Sequence, residues 1–164
     1  MPGSGKSTFG QALAKAVNFE FLDLDSLIEE VEGQSIREIF SEKGELYFRQ
    51  LEADTLVKTI DRKQQFVMAC GGGTACFHDN IHQINSAGLS VYLETSGKTL
   101  VERLKRESES VTRPLVSGTQ KDIPTFVEDT LSARKHFYEQ AAITIAEGQS
   151  VEDLLQLVNQ QSID

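Results

Sequence analysis

The sequence predicts a single α/β domain, a three-layer α/β/α sandwich whose central sheet is parallel. Three short stretches, at 66–70, 89–93 and 143–146, are apolar or nearly so, which is typical of strands buried on both faces of such a sheet. Helical segments lie between them, and an alternation of strands and helices favours this fold class. A chain of 164 residues fits one domain, so we assign residues 1–164 to one unit.

The charge balance and the hydropathy of the chain exclude several classes of protein. It carries 16 Lys and Arg against 25 Asp and Glu, and this lack of basic excess argues against a nucleic-acid-binding surface. No apolar run approaches the roughly 20 residues of a membrane-spanning helix, and no secretory leader is visible. Cys70 and Cys76 suit a reducing compartment. We therefore expect a soluble, cytoplasmic protein with no nucleic-acid or membrane partner.

The remaining elements follow from local patterns along the chain. A glycine-rich stretch at 1–8 leads into a helix over 9–17, in which Phe9, Leu13 and Val17 recur at helical spacing. Apolar spacing and helix caps predict the others. They are a strand at 19–23, helices at 26–31, from Ser35 and over 45–60, and then helices at 80–87, 98–106, 126–140 and 150–159.

One connection stands out from the others. Residues 107–122 are polar and aperiodic, and the stretch is longer than most connections between elements. It is therefore predicted to be a mobile lid, with Arg113 near its middle as a candidate functional side chain. A surface loop without a role is the alternative.

The first residues carry the most informative motif. Gly3-Ser4-Gly5-Lys6-Ser7-Thr8 matches the last part of G-x-x-x-x-G-K-[ST], a loop whose backbone N–H groups face phosphate oxygens at the start of a helix. Lys6 would reach the β- and γ-phosphates, and the Ser7 hydroxyl would bind Mg²⁺. All six residues are therefore candidate nucleotide-binding residues.

Asp23-Leu24-Asp25 follows the first predicted strand, at the carboxyl edge where open α/β sheets bind ligands. If the segment is extended, both carboxylates lie on one side of it. One could bind Mg²⁺ and the other could accept a proton from a substrate hydroxyl. The alternative is that one of them caps the next helix.

Glycines and arginines supply further candidates. Gly71-Gly72-Gly73 follows a buried strand and would let a ligand or another backbone come close. A tight turn is the alternative, although three consecutive glycines exceed what a turn requires. Arginine forks suit carboxylates and phosphates, so Arg49 and Arg134 join Arg113 as candidates, with pairing to surface acids as the alternative. The three histidines show no metal-ligand spacing with the cysteines.

Taken together, these motifs resemble the shikimate kinase family, whose P-loop fold is of the nucleoside monophosphate kinase type. The resemblance runs from Pro2 to Asn159. It rests on the glycine-rich motif, on residues 21–25 and 44–52, on the three glycines, on Arg113-Pro114-Leu115, and on Arg134 followed by Tyr138. It implies the phosphorylation of the 3-hydroxyl of shikimate by ATP with Mg²⁺, by an enzyme that we expect to be a monomer.

On the nucleotide side, the resemblance gives a role to each matching residue. Lys6 would hold phosphates, and Ser7 and Asp23 would serve Mg²⁺. Arg113 would move over the phosphoryl group during its transfer. Arg106 would lie against adenine.

On the shikimate side, the resemblance implies a base and a carboxylate clamp. Asp25 would orient and deprotonate the attacking hydroxyl. Arg49 and Arg134 would hold the shikimate carboxylate, and the glycines at 71–73 would approach the ring. One departure is that residues 147–149 read Glu-Gly-Gln where some family members carry an arginine, so nucleotide contact there would be through the backbone or absent.

In this fold the first strand is central, in the order 2-3-1-4-5, and it would precede Met1 together with the first glycine of the motif. Without it, the neighbouring strands would lose backbone partners, at a cost of roughly 1–3 kcal/mol for each buried group. We therefore expect a chain that begins at Met1 to be poorly stable or inactive.

Two other functions remain open at this point. Another small-metabolite kinase of the same fold, such as a gluconate kinase, would share the phosphate loop and the lid. A non-catalytic nucleotide-binding domain would need the loop alone. A nucleoside monophosphate kinase is less favoured because no second phosphate-binding cluster is visible, and a GTPase because there is no Asn-Lys-x-Asp motif.

Overall fold

The computed structural model describes residues 1–109 and 122–161, where helices and strands alternate as predicted. The elements in chain order are α1 Lys6–Val17, β1 Glu20–Asp23, α2 Leu24–Glu32, α3 Ile36–Ile60, β2 Phe66–Ala69, α4 Asn80–Ala87, β3 Val91–Leu93, α5 Gly97–Glu109, α6 Ile123–Tyr138, β4 Ile143–Ile145 and α7 Val151–Gln161. A short 3-10 turn at Thr74–Cys76 follows β2. No helix within these residues is both long and apolar enough to cross a membrane.

The strands form two parallel pairs. In the first, β1 lies beside β2, with Glu20 opposite Phe66 and Asp23 opposite Ala69. In the second, β3 lies beside β4, from Val91 opposite Ile143 onwards. Every pairing in the described residues is thus parallel, as the apolar runs predicted, but no backbone ladder joins the two pairs there.

Buried apolar side chains attach the helices to these strands in three clusters. One joins α2 to α3, a second joins β4 to α7, and a third joins α5 to α6. Their most buried members are Leu24, Ile28, Ile39 and Leu56 in the first, Ile145 and Leu154 in the second, and Leu100, Leu104 and Val127 in the third. The carboxyl end of β1 lies next to the start of α1, where Ser7 donates to Asp23, and the chain after β2 lies next to Glu52 in the middle of α3.

The two helices predicted within residues 35–60 form a single helix, α3, with a kink between them. Ser35 and Glu38 form the predicted capping box, in which the Ser35 hydroxyl accepts from the Glu38 N–H and the Glu38 carboxylate accepts from the Ser35 N–H. Gly44 then leaves the helical region, with φ 81° and ψ 173°, and the helix resumes at Glu45. A left-handed φ favours glycine because it has no Cβ to clash.

The ends of the predicted lid belong to helices. The helix α5 continues through Glu109, and Asp122 caps α6 by accepting from the Thr125 N–H at 2.9 Å. The rest of the lid, with Arg113, lies outside the described residues.

Candidate functional site

The glycine-rich loop ends in a helix start that suits an anion. Gly3 and Gly5 have left-handed φ values of 74° and 87°, and α1 begins at Lys6 with no side-chain cap. The first N–H groups of a helix lack intrahelical partners, and the helix dipole adds positive potential there. The geometry that the motif predicted is therefore present.

Lys6 lies across this loop. Its Nζ donates to the Met1 carbonyl at 2.7 Å and lies 3.5 Å from the Ser4 hydroxyl, which itself donates to the Met1 carbonyl at 3.0 Å. The ammonium group is thus held at the loop, where a phosphate chain on the α1 N-terminus would meet it.

A cavity of about 610 Å³ extends from the loop. Its wall is formed by residues of the loop and of α1, by the ends of β3 and β4, and by Arg103. The lining residues of the loop are Gly3, Ser4, Gly5, Lys6, Ser7 and Thr8, which are the six predicted from the motif. Residues 147–149 also line the cavity, and Gly148 has a left-handed φ of 91° in a tight turn there.

Arg103 is a cavity residue that sequence reasoning missed. Its Nη1 donates to the Gly3 carbonyl at 2.9 Å, and its guanidinium lies 3.5 Å from the position of a Cβ built on Gly5. Arg106, one turn later on α5, is exposed and does not line the cavity. No pattern in the sequence distinguishes the two arginines, because only the packing of α5 beside the loop selects one of them.

The cavity wall that contains Arg103 also contains a carboxylate, that of Glu147. Hydrogen bonds from the Thr99 side chain and from the Ser96 backbone hold the pKa of Glu147 below its usual range, and the charge of Arg103 adds to the effect. Glu147 is therefore an anion at neutral pH. It stands where some family members were expected to carry an arginine.

Asp23 contacts the glycine-rich loop and also caps a helix, which was the alternative that its motif left open. Its Oδ2 accepts from the Ser7 hydroxyl at 3.2 Å, which joins it to the loop. Its Oδ1 accepts from the N–H groups of Asp25 and Ser26 at 3.1 and 3.4 Å, so it is also the N-cap of α2. The expected alternation of Asp23 and Asp25 along an extended segment is wrong, because this cap starts α2 at Leu24.

The three glycines let charged side chains approach the chain after β2. A Cβ built on Gly71 would lie 3.1 Å from both Asp25 Oδ1 and Glu52 Oε1. A Cβ on Gly73 would lie 2.7 and 2.8 Å from the two terminal nitrogens of Arg49, closer than real contacts allow. The run is also a turn, since the Thr74 N–H donates to the Gly71 carbonyl. The turn reading is therefore confirmed, and the approach of a ligand to these glycines stays a prediction.

Cys70 marks the point where the charged groups meet. Burial, together with the nearby Glu52 carboxylate, raises the pKa of its thiol to about 12. Lys6, Asp25 and Asp23 act on the same thiol. Residues from the loop, from the end of β1, from α2 and from α3 thus surround the end of β2, although they are far apart in sequence.

Arg49 is buried in a network of acids and aromatic rings. Only 7% of the residue is exposed, and its Nη1 donates at 2.9 Å to Glu52, of which 1% is exposed. Its Nε and Nη2 donate to Glu45 Oε1 at 3.2 and 3.0 Å. The guanidinium carbon lies 4.4 Å from the centre of the Phe77 ring. Glu45 and Glu52 lie four residues before and three after Arg49, a helical spacing that could have indicated them.

Arg134 reaches the same turn from α6. Its Nη1 donates to the Gly72 carbonyl at 3.1 Å, and the Tyr138 hydroxyl donates to the same oxygen at 2.5 Å. Burial raises the pKa of Tyr138 to about 12, so its hydroxyl stays a donor at neutral pH. Burial raises the pKa of Cys76, and the charges of Arg134 and Arg49 both oppose that rise, so the two arginines lie near the same thiol.

A comparison with models of protein families matches residues 2–161 of the chain to the model for shikimate kinase. The chain belongs to the shikimate kinase family. It is therefore a phosphotransferase of the shikimate pathway, with the α/β P-loop fold of that family, as the sequence predicted. Curated shikimate kinases are similar to this chain over most of their length. One from Chlorobium phaeobacteroides is 36% identical, and the match covers 96% of this chain and 86% of the relative. One from Flavobacterium psychrophilum is 40% identical, and the match covers 87% of this chain and 83% of the relative.

Solved shikimate kinases also share the fold of the chain. One from Acinetobacter baumannii, in complex with shikimate, is 32% identical with a TM-score of 0.88, and the match covers 99% of this chain and 90% of that one. One from Bacteroides thetaiotaomicron is also 32% identical, with a TM-score of 0.83 over 96% of this chain and 94% of that one.

The buried acid of this shikimate kinase gives a stability prediction. Glu52 accepts from Arg49 and, at 2.6 Å, from the fully buried Thr74 hydroxyl. Glu52→Gln should lower the free energy of unfolding by about 3 kcal/mol, because it breaks a buried ion pair. Urea unfolding measures the change. Glu42→Gln, on an exposed turn of the same helix, should stay within about 0.5 kcal/mol of the unaltered protein, and equal losses in the two variants would contradict the prediction.

Proposed function

We propose that this protein transfers the γ-phosphoryl group of ATP to the 3-hydroxyl of shikimate, giving shikimate 3-phosphate and ADP. The observation that carries the proposal is the meeting of a phosphate loop, an acid and two arginines around residues 70–73. The similarity to a shikimate kinase that binds shikimate supports the same substrate. Each role below is argued from the contacts of one group of residues.

The loop and α1 would bind the phosphates of ATP. Backbone N–H groups at the start of α1 and the ammonium of Lys6 supply donors and positive charge on one side of the cavity. Phosphoryl transfer is mostly positioning and neutralisation of negative charge, so a rigid set of such donors lowers its barrier. The contact of Lys6 with the Met1 carbonyl is the one that phosphate oxygens would replace.

Ser7 and Asp23 would hold Mg²⁺. Their oxygens lie 3.2 Å apart at the cavity, and hydroxyl and carboxylate oxygens are the donors that this hard cation prefers. When bound, Mg²⁺ would offset the negative charge of the phosphates during transfer. Asp23 also stays fixed as the N-cap of α2, so its carboxylate cannot turn freely.

Asp25 would act as the general base. Its carboxylate comes within 3.1 Å of where a Cβ on Gly71 would lie, and the residue is exposed. As the 3-hydroxyl oxygen bonds to the γ-phosphorus, the bond from that phosphorus to the ADP oxygen breaks and the hydroxyl proton passes to Asp25. Glycine at 71 leaves room for the ring beside this acid.

Arg49 and Arg134 would hold the shikimate carboxylate. Both lie at the glycine turn, Arg49 beside Gly73 and Arg134 on the Gly72 carbonyl. Guanidinium groups form paired hydrogen bonds with carboxylates, which fixes the orientation of the ring as well as its position. The aromatic ring of Phe77 keeps water from one face of Arg49.

Two roles that the resemblance implied stay predictions. Arg113 would cover the phosphoryl group during transfer, and it lies outside the described residues. Arg106 would lie against adenine. We also propose that the enzyme acts as a monomer. A cytoplasmic location is supported by its free thiols.

ADP release, measured by a coupled assay, tests the proposed reaction. ADP should form with shikimate and not with gluconate, because only shikimate brings a ring with a carboxylate to the two arginines. Asp25→Asn should lower kcat by about 10²- to 10⁴-fold, the usual contribution of a general base, while ATP still binds.

The control for this test is Asp54→Asn, which removes a carboxylate from an exposed position of α3. It should leave kcat unchanged. Turnover of gluconate alone would favour a gluconate kinase. ATP binding without any turnover would favour a non-catalytic nucleotide-binding domain.

A second test concerns the nucleotide side. Arg103→Gln should raise the KM for ATP about tenfold, because a charged donor no longer fixes the Gly3 carbonyl, and should leave the KM for shikimate unchanged. Steady-state kinetics at varied ATP measures this, with Arg106→Gln assayed in parallel for its predicted adenine contact. A normal KM for ATP in Arg103→Gln would contradict the role of Arg103.

The finer fold is also a proposal. We infer that a fifth strand lies between β2 and β3 and joins the two parallel pairs into one sheet. If this strand is counted as strand 1 and β1 to β4 as strands 2 to 5, the order across the sheet is 2-3-1-4-5. Its support is that each pair is parallel and that no ladder connects them in the described residues. Such a strand would donate and accept along both β2 and β3, which is a large share of the backbone bonds of a small sheet.

This proposal predicts a gain in stability on extension. A chain carrying an apolar strand and a glycine before residue 1 should melt at a higher temperature than the 164-residue chain and should turn over shikimate faster. Thermal unfolding followed by circular dichroism gives the first value and ADP release the second. An extension of equal length made of Gly and Ser is the control, and equal melting temperatures would overturn the proposal.

A further inference from the structure

The guanidinium of Arg49 is already engaged by two carboxylates. Its Nη1 donates to Glu52 at 2.9 Å, and its Nε and Nη2 donate to one oxygen of Glu45 at 3.2 and 3.0 Å. The Nε and Nη2 edge is one of the two edges on which an arginine binds a carboxylate with paired hydrogen bonds. Glu45 therefore occupies a position that suits the carboxylate of a ligand.

The two acids differ in how firmly they are held. Glu52 is buried and also accepts from Thr74 at 2.6 Å, so its place is fixed from two sides. The side chain of Glu45 is 55% exposed, and within the described residues its hydrogen bonds go to Arg49 alone. It is also the first residue after the kink at Gly44, where a Cβ would meet nothing within 4 Å. Glu45 can thus leave Arg49 without disturbing the core.

The local charge makes a third carboxylate unfavourable. The single positive charge of Arg49 is balanced by Glu52, and Glu45 adds an excess negative charge beside it. A ligand carboxylate brought to Arg49 would be repelled by Glu45, and this repulsion is modest because the Glu45 side chain is 55% exposed to water. Movement of the Glu45 side chain into solvent removes this repulsion at little cost in free energy, because an exposed carboxylate is well hydrated.

We propose that Glu45 is an internal competitor of the substrate carboxylate: it occupies Arg49 in the free enzyme and is displaced when a carboxylic acid binds. The proposal rests on the proposed role of Arg49 as a carboxylate clamp. Glu45 thereby keeps the Nε and Nη2 edge of Arg49 hydrogen-bonded and oriented until a substrate arrives. It also favours acids over neutral polyols, because a ligand without a negative charge cannot take its place.

The decisive measurement is the KM for shikimate of Glu45→Gln. The amide keeps the shape of the side chain and removes its charge, so KM should fall about fivefold while kcat changes less than KM and the KM for ATP stays the same. Equilibrium binding of shikimate without ATP, measured by calorimetry, should tighten by a similar factor. Binding of shikimate methyl ester, which is uncharged, should not change.

The matched control is Glu42→Gln. It removes the same charge three residues earlier on α3, where the carboxylate accepts from Gln34 instead of Arg49. An equal fall in KM for Glu42→Gln would assign the effect to bulk charge and overturn the proposal. An unchanged or higher KM for Glu45→Gln would also overturn it, since Glu45 would then be either irrelevant to binding or a support for Arg49.

These outcomes are separable from failure of the proposed function. If the unaltered enzyme turns over shikimate and Glu45→Gln does not tighten binding, only the competitor role fails. If the unaltered enzyme neither binds nor turns over shikimate, the function itself fails. Thermal unfolding of Glu45→Gln reports whether the variant is folded, and the exposure of Glu45 leads us to expect a melting temperature close to that of the unaltered enzyme.

Discussion

The buried ion pair between Arg49 and Glu52 is the interaction on which the substrate side of this enzyme depends. It lies on α3, yet its acid also accepts from Thr74 in the turn after β2, so it ties the helix to the sheet. Two charges taken out of water are stable only when their remaining hydrogen bonds are satisfied. Thr74 supplies one, and Asn80 in turn holds Thr74 by donating to its carbonyl at 3.0 Å. The position of Arg49 is therefore set by a chain of buried polar contacts.

The three glycines make this arrangement possible. A side chain at residue 73 would overlap the guanidinium of Arg49, and one at residue 71 would crowd both Asp25 and Glu52. The turn can therefore lie directly against Arg49 at residue 73 and against two acids at residue 71. The carbonyl of Gly72 serves the same end, since it accepts from Arg134 and Tyr138 and fixes α6 against the turn. A small ring bound here would lie against main chain and charged groups on several sides.

The nucleotide side is built by a different principle. Its donors are backbone N–H groups at the start of α1, held by left-handed glycines, and the loop needs few side chains of its own. Support comes from outside the motif, because Arg103 on α5 fixes the Gly3 carbonyl. Asp23 links the two sides, since it accepts from Ser7 and caps the helix that carries Asp25. A shift of the glycine-rich loop would therefore change the position of Asp25, the proposed general base.

The sequence by itself determined the class of fold, the order of its elements and most of the candidate site. These features depend on local signals: apolar runs for buried strands, a capping box at Ser35, glycines where the backbone must turn, and a phosphate motif at the start of a helix. What only the tertiary structure decided are the contacts between distant elements. The selection of Arg103 at the cavity, the two acids on Arg49, and the start of α2 at Leu24 arise from packing and capping. The physical reason is that a charged side chain looks the same in sequence whether it faces water or a partner, and only the folded chain brings that partner to it.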